Sequence, residues 1–101
     1  MRLEEIKEML KKTGLPVAYR AFRRRQEPPF LCYLTAGSNN FAADGTVYFK
    51  IMRVQVELYT KEKNLEAEER VENALSSVFW DKTETFIESE GIYQILYEFE
   101  V

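Results

Sequence analysis

From Tyr93 to the last residue every second side chain is apolar: Tyr93, Ile95, Tyr97, Phe99 and Val101, with Gln94, Glu98 and Glu100 between them. A two-residue period sustained over nine positions is that of an extended strand with one face buried, and it is incompatible with a helix, whose side chains repeat every 3.6 residues. A second run of the same kind lies upstream. Residues 47 to 59 alternate, with Met52, Val54, Val56 and Leu58 on one face and Arg53, Gln55 and Glu57 on the other. Two such strands require an antiparallel sheet with one wet side, and an apolar partner for the dry side.

Two amphipathic segments can supply that partner. Residues 2 to 13 predict a helix, because Leu3, Ile6, Met9 and Leu10 recur at three- and four-residue steps, with acidic groups early and lysines late. Gly14 and Pro16 stop it. Asn64 can cap a second helix over residues 65 to 78, whose stripe is Ala67, Val71, Ala74, Leu75 and Val78 and whose first turn holds Glu66, Glu68 and Glu69. Between the helices, residues 17 to 22 read as a short strand. The charged loop Arg23-Arg24-Arg25-Gln26-Glu27 and Pro28-Pro29 follow, and residues 30 to 35 read as a buried strand. Residues 36 to 46 form the longest irregular piece and the expected exposed arm. The chain ends in a hairpin, residues 83 to 89 and 92 to 101 about a turn at Glu90-Gly91. The order is α-β-β-β-α-β-β. The expected fold is an α+β two-layer sandwich, a mostly antiparallel sheet of four to five strands with two helices packed on one face. With 101 residues, folding should reduce about 17,000 Å² of extended surface to about 6,000 Å², enough for one core and one domain over residues 1–101.

Function classes narrow by residue type. Histidine is absent, which removes the commonest general base and metal ligand. The single cysteine, Cys32, lies within the longest apolar run, residues 30 to 34, where it is expected to pack as a small hydrophobe. Neither zinc-type cysteine spacing nor a phosphate-cradling glycine loop occurs. We therefore expect no catalytic residue, cofactor or metal. The apolar run is far short of the roughly 20 residues that span a bilayer, and early charges at Arg2, Glu4 and Glu5 spoil an export signal. These features predict a soluble protein born in a reducing compartment, without a membrane partner.

Charge is uneven along the chain. Residues 1 to 25 carry eight basic and three acidic groups, residues 64 to 101 two basic and ten acidic, within a net charge of −3. Such polarity serves self-association when the two sets meet between copies, and merely interleaves when folding mixes them on one surface. Glu84, Glu88 and Glu90 fall on one face by alternation, with Glu98 and Glu100 on the neighbouring strand. That pattern describes a solvated sheet face, or on paper a paired-carboxylate site. Arg23, Arg24 and Arg25, near Arg20, Tyr19 and Phe22, fit either a solvated rim or a contact with nucleic acid. Phe41, set among Asn39, Asn40, Ala42, Ala43 and Asp44, has no periodic core face to join: it folds back onto its own domain or anchors a partner.

Several strings are distinctive together: Gly14-Leu15-Pro16-Val17-Ala18-Tyr19-Arg20-Ala21-Phe22, Pro29-Phe30-Leu31-Cys32-Tyr33-Leu34, Asn40-Phe41-Ala42-Ala43-Asp44-Gly45, Arg53-Val54-Gln55-Val56-Glu57-Leu58-Tyr59, Lys82-Thr83-Glu84-Thr85 with Ile87-Glu88-Ser89-Glu90, and Tyr97-Glu98-Phe99-Glu100-Val101. From about residue 14 onward the chain resembles small tail-completion, tail-terminator-like proteins encoded among the head-tail joining genes of long-tailed phages and prophages of Gram-positive bacteria. The resemblance implies a structural part and not an enzyme. Copies would form a ring, six-fold in expectation, that caps the tail tube, docks the head connector and passes DNA through its channel. It implies a virion-tail location after assembly in the host cytoplasm. Asn39, Asn40, Phe41, Asp44 and Gly45 are then the candidate subunit-interface arm, and Arg23, Arg24 and Arg25 would face an acidic neighbour or DNA. Two alternatives remain: an adaptor domain binding single-stranded nucleic acid on an aromatic sheet face, and a neighbouring head-closure or connector protein.

Overall fold

A computed structural model describes residues 1–43 and 45–101, with the backbone alone at 41–43 and 47–49. In chain order the elements are α1 (Leu3–Lys11), β1 (Val17–Tyr19), β2 (Phe30–Ser38), β3 (Phe41–Ala43), β4 (Thr46–Phe49), β5 (Met52–Thr60), α2 (Leu65–Ala74), β6 (Asp81–Ile87) and β7 (Ile92–Glu100). Five strands form one sheet in the order β1-β2-β5-β7-β6, and β3 and β4 form a separate two-stranded ribbon. β1 runs parallel to β2, and the remaining neighbours are antiparallel. The fold is α+β, and the five sheet strands and two helices follow the order read from the sequence.

Alternation along the strands sorts the sheet into two faces. Leu31 and Tyr33 on β2, Val54, Val56 and Leu58 on β5, and Ile95, Tyr97 and Phe99 on β7 are buried together with Ile6, Leu10, Ala67, Val71 and Leu75 of the helices and the turn after α2. Both helices therefore cover one face. Cross-strand pairs such as Tyr33 with Val56 and Val56 with Tyr97 hold this layer in register.

Local chemistry sets the helix ends. Thr13 is buried and stops α1: its hydroxyl donates to the Leu10 carbonyl at 2.6 Å and accepts the Leu15 N–H at 3.1 Å. The helix is thus two residues shorter at its C-terminus than its periodicity predicts. At α2 the Asn64 side chain accepts the Ala67 N–H at 3.0 Å, which satisfies one of the orphan amides of the first turn. Replacing it, Asn64→Ala, should cost about 1 kcal/mol in chemical denaturation with the native circular dichroism spectrum retained. α2 ends at Ala74 and not at residue 78. Leu75 and Val78 reach the core from turns in which the Val78 N–H donates to the Leu75 carbonyl.

The largest departure from the sequence reading lies between β2 and β5. Residues 36 to 46 are expected to be irregular, yet β2 runs on to Ser38 and β3 pairs with β4. Residues 47 to 59 are expected to form one strand, yet Lys50 and Ile51 divide β4 from β5. The break has a local cause. Asn39 donates its N–H to the Ile51 carbonyl at 2.8 Å, and the Asn40 side chain accepts the Ile51 N–H at 3.0 Å, so a side chain takes the place of a ladder partner. Just before it, β2 carries a bulge between Thr35 and Gly37. Gly37 has φ +145°, and a Cβ there would sit 2.9 Å from a guanidinium nitrogen of Arg53. Glycine lets the bulge form beneath that side chain.

The ribbon accounts for the molecule's shape. Nine-residue strands span about 30 Å, whereas the long axis is 49 Å against 28 and 25 Å for the others. The accessible surface, 6921 Å², exceeds the roughly 6,000 Å² of a rounded chain of this mass. No helix among the described residues is long and apolar enough to cross a membrane.

Candidate functional site

The expected arm is the outer half of a long hairpin: β2 and β5 form its root in the sheet, and β3 and β4 its free end. Asn39 and Asn40 are exposed but engaged. Besides the bonds to Ile51, the Asn39 amide donates to Glu100 Oε2 at 2.9 Å, which ties the arm's base to β7. These two residues position the ribbon. Phe41 lies in β3 opposite Phe49 by backbone register, its side chain lies outside the described residues, and so does all of Asp44. Gly45 is exposed with φ +74°.

The arginine loop leaves the sheet at Arg20, whose φ of +65° turns the chain away from β1 while its N–H still donates to the Tyr33 carbonyl at 2.8 Å. Arg23, Arg24 and Arg25 are all exposed. Arg25 lies 3.9 Å from Glu27, and Lys61 binds the same carboxylate at 3.2 Å. The loop returns over the helix-free face of the sheet, where Phe22 meets Phe30 edge-on at 5.3 Å between ring centroids and Phe30 stacks on Tyr59 at 5.0 Å. Arg25, Glu27, Phe30, Lys61, Glu90 and Ile92 line a groove of about 700 Å³ beside this stack, its two cations matched by two carboxylates.

Beneath the stack the helix-free face carries a polar network. Gln94 donates to Glu57 Oε2 at 3.2 Å and to the Tyr59 hydroxyl at 3.0 Å. Burial raises the Glu57 carboxyl above its ordinary range and pushes the Tyr59 phenol up to about 12. Cys32, cross-strand from Glu57, is buried with its thiol pushed up to about 11, first by burial and then by that carboxylate. A thiol held protonated is a packing group and a poor nucleophile.

The acidic residues do not form the single face read from alternation. β6 ends at Ile87, so Glu88 and Glu90 belong to the turn, where the Glu90 and Gly91 N–H groups both donate to the Ile87 carbonyl. Glu84 faces the helix side, cross-strand from Ile95, and binds Lys63. Glu98 and Glu100 point to the other face. Among the described residues no three His, Cys, Asp or Glu side chains are placed to hold a metal.

One carboxylate escaped the sequence reading. Glu68 is only 2% exposed, gripped by Lys63 at 2.7 Å and Lys82 at 3.1 Å. Lys82 also binds Glu72 at 2.9 Å, and the Tyr97 hydroxyl donates to the same Glu72 carboxylate at 2.9 Å. Burial alone would raise the Glu68 carboxyl, but the two ammonium groups more than offset it and hold it below the ordinary range. The available signal was spacing: Glu68 stands three and seven residues before Val71 and Leu75, on the buried stripe of α2. Every charge in this cluster has a partner, so it clamps α2 onto β6 and offers no open ligand position.

Compared with models of known protein families the chain matches none, and it matches none of the curated proteins.

Proposed function

We propose that the chain is a structural subunit of a phage or prophage tail, which self-assembles into a ring, six-fold as the family resemblance implies, completes the tail and joins it to the head. The feature that carries this reading is the β3–β4 ribbon, which belongs to no other sheet of its own chain. A two-stranded ribbon is marginal in water on its own, and this one is rich in apolar residues by sequence, with Phe41, Val47, Tyr48 and Phe49 against one charge at Asp44. Packing on a neighbouring subunit stabilises it. The partners are other copies, the tail tube and the head connector, with DNA as cargo in the channel. The location is the virion tail after assembly in the host cytoplasm. The reading assigns no bond-making chemistry to any residue.

The test is sedimentation across concentration, with Phe41→Ala beside the wild type. A ribbon that spans subunits predicts at least a tenfold weaker association and a melting temperature within about 2 °C of the wild type. Equal loss of both would place Phe41 in its own core. Adjacent genes for a terminase, a portal and a major tail protein support the class, and the position among them separates tail completion from head closure.

A second reading, binding of single-stranded nucleic acid, draws on the Phe22, Phe30 and Tyr59 stack beside Arg25 and Lys61. Stacking platforms flanked by cations bind bases and phosphates together. These rings are half-buried against one another, which leaves less face for a base. Binding of a labelled oligonucleotide that falls steeply with salt would favour this reading.

A further inference from the structure

The helix-free face of the sheet carries an excess of carboxylates at one end, and the loop bearing Arg23, Arg24 and Arg25 stands at the other. At one end Arg53, Asp81, Glu98 and Glu100 surround a groove of about 380 Å³ that also takes in Phe79 and Phe99. Phe79 is 90% exposed, more than any other large hydrophobic among the described residues. Among those residues no lysine or arginine lies within 4 Å of the Asp81, Glu98 or Glu100 carboxylates, and no carboxylate within 4 Å of Arg23 or Arg24.

The two sets cannot meet within one chain. By backbone register Arg53 lies opposite Glu100 at the Phe79 end of the sheet and Thr60 opposite Tyr93 at the other, and Arg25 lines its groove with Ile92 beyond that point. Seven residue steps along β5 separate the ends by about 23 Å. Between two chains the obstacle disappears.

We propose that the groove beside Phe79 receives the Arg23, Arg24 and Arg25 loop of a second copy. The Asp81, Glu98 and Glu100 carboxylates, with Arg53 beside them, then face three guanidinium groups, whose planar forks suit carboxylates; Arg25 exchanges its 3.9 Å contact with Glu27 for this one, and the Phe79 ring offers its face to a guanidinium. The contact joins two different patches, so each copy keeps one of each for further neighbours. This deepens the self-assembly reading and rests on it.

The experiment follows association of the full chain by sedimentation at 50 and 500 mM salt. One variant carries Arg23→Glu, Arg24→Glu and Arg25→Glu, and another Asp81→Lys and Glu98→Lys, with Glu100 kept because it anchors the ribbon through Asn39. Neutral Asp81→Asn and Glu98→Gln stands in if the lysine variant melts early. The wild type should associate, more tightly at low salt. Each reversal alone should lose at least tenfold in association constant at 50 mM salt, the neutral variant should lose less, and mixing the two reversals should restore association. Phe79→Ala should weaken association with the melting temperature unchanged. Reversals that associate as tightly as the wild type would overturn this contact and leave self-assembly standing. A wild type that stays monomeric at every concentration would overturn both.

Discussion

The double substitution Lys63→Met, Lys82→Met should remove about 3–5 kcal/mol of stability at pH 7, the range found when a buried ion loses its partners. Glu68 would keep its buried position without either ammonium. The pH dependence should change sign with it. In the wild type the Glu68 carboxyl lies below its ordinary value of 4.5, so its contribution is present above that value and is lost as pH falls through the lowered folded value. Lys63 and Lys82 are raised above 10.5, by hydrogen bonding to Glu68 and Glu72 respectively before any other cause, so theirs is lost as pH rises through the folded values. In the double variant burial acts on Glu68 alone and favours the protonated acid. Its stability should then fall as pH rises past the carboxylate range. Urea unfolding at pH 4 and pH 7 measures this: the deficit should be clearly smaller at pH 4, and adding Glu68→Leu should recover most of it at pH 7. An equal deficit at both pH values would mean that the lysine stems matter for packing and their charges do not.

Tyr97 should show the second large effect. It is fully buried, packs edge-on against Trp80 at 5.4 Å between centroids, and donates to Glu72. Tyr97→Ala should cost about 3–5 kcal/mol by leaving a cavity at the centre of the layer, a fall in melting temperature of roughly 12–40 °C for a domain of this size. Tyr97→Phe keeps the ring and removes one hydrogen bond, so thermal unfolding should register a loss of about 1 kcal/mol. Similar costs for both would show that the hydroxyl, tied to Glu72 and through it to Lys82, matters more than the volume.

The sequence patterns that proved legible are those whose period is set by burial. Alternation at Val54, Val56 and Leu58 and at Ile95, Tyr97 and Phe99 placed the dry face correctly, because a slip of one residue would expose all of it. The break at Lys50 and Ile51 left a trace that the reading of one strand over residues 47 to 59 passed over: Lys50 falls on the apolar face of Met52 and Val54, and Ile51 on the polar face of Arg53 and Gln55. The break itself is made by the Asn40 side chain, eleven positions away along the chain. The extension of β2 through Ala36, Gly37 and Ser38 was hidden by residues of low strand propensity, which pairing with β5 overrides. Of the candidate site, the arm's location could be read, but not the use of Asn39 and Asn40 as its anchors. First-turn position alone marks Glu68 as a partner of the helix dipole, and its lysines come from outside the helix, one before it and one on β6. A charge on an apolar stripe announces that such partners must exist without saying where they are.

Cys32 supplies a practical consequence. Its buried thiol, pushed up to about 11, remains almost wholly protonated at neutral pH and should ignore maleimide reagents. The native chain is therefore already a clean background for spectroscopy. A fluorophore attached through a cysteine introduced at exposed Thr46 would sit alone on the ribbon, clear of the left-handed turn at Gly45, and report each docking event by energy transfer or a polarity-dependent change in colour.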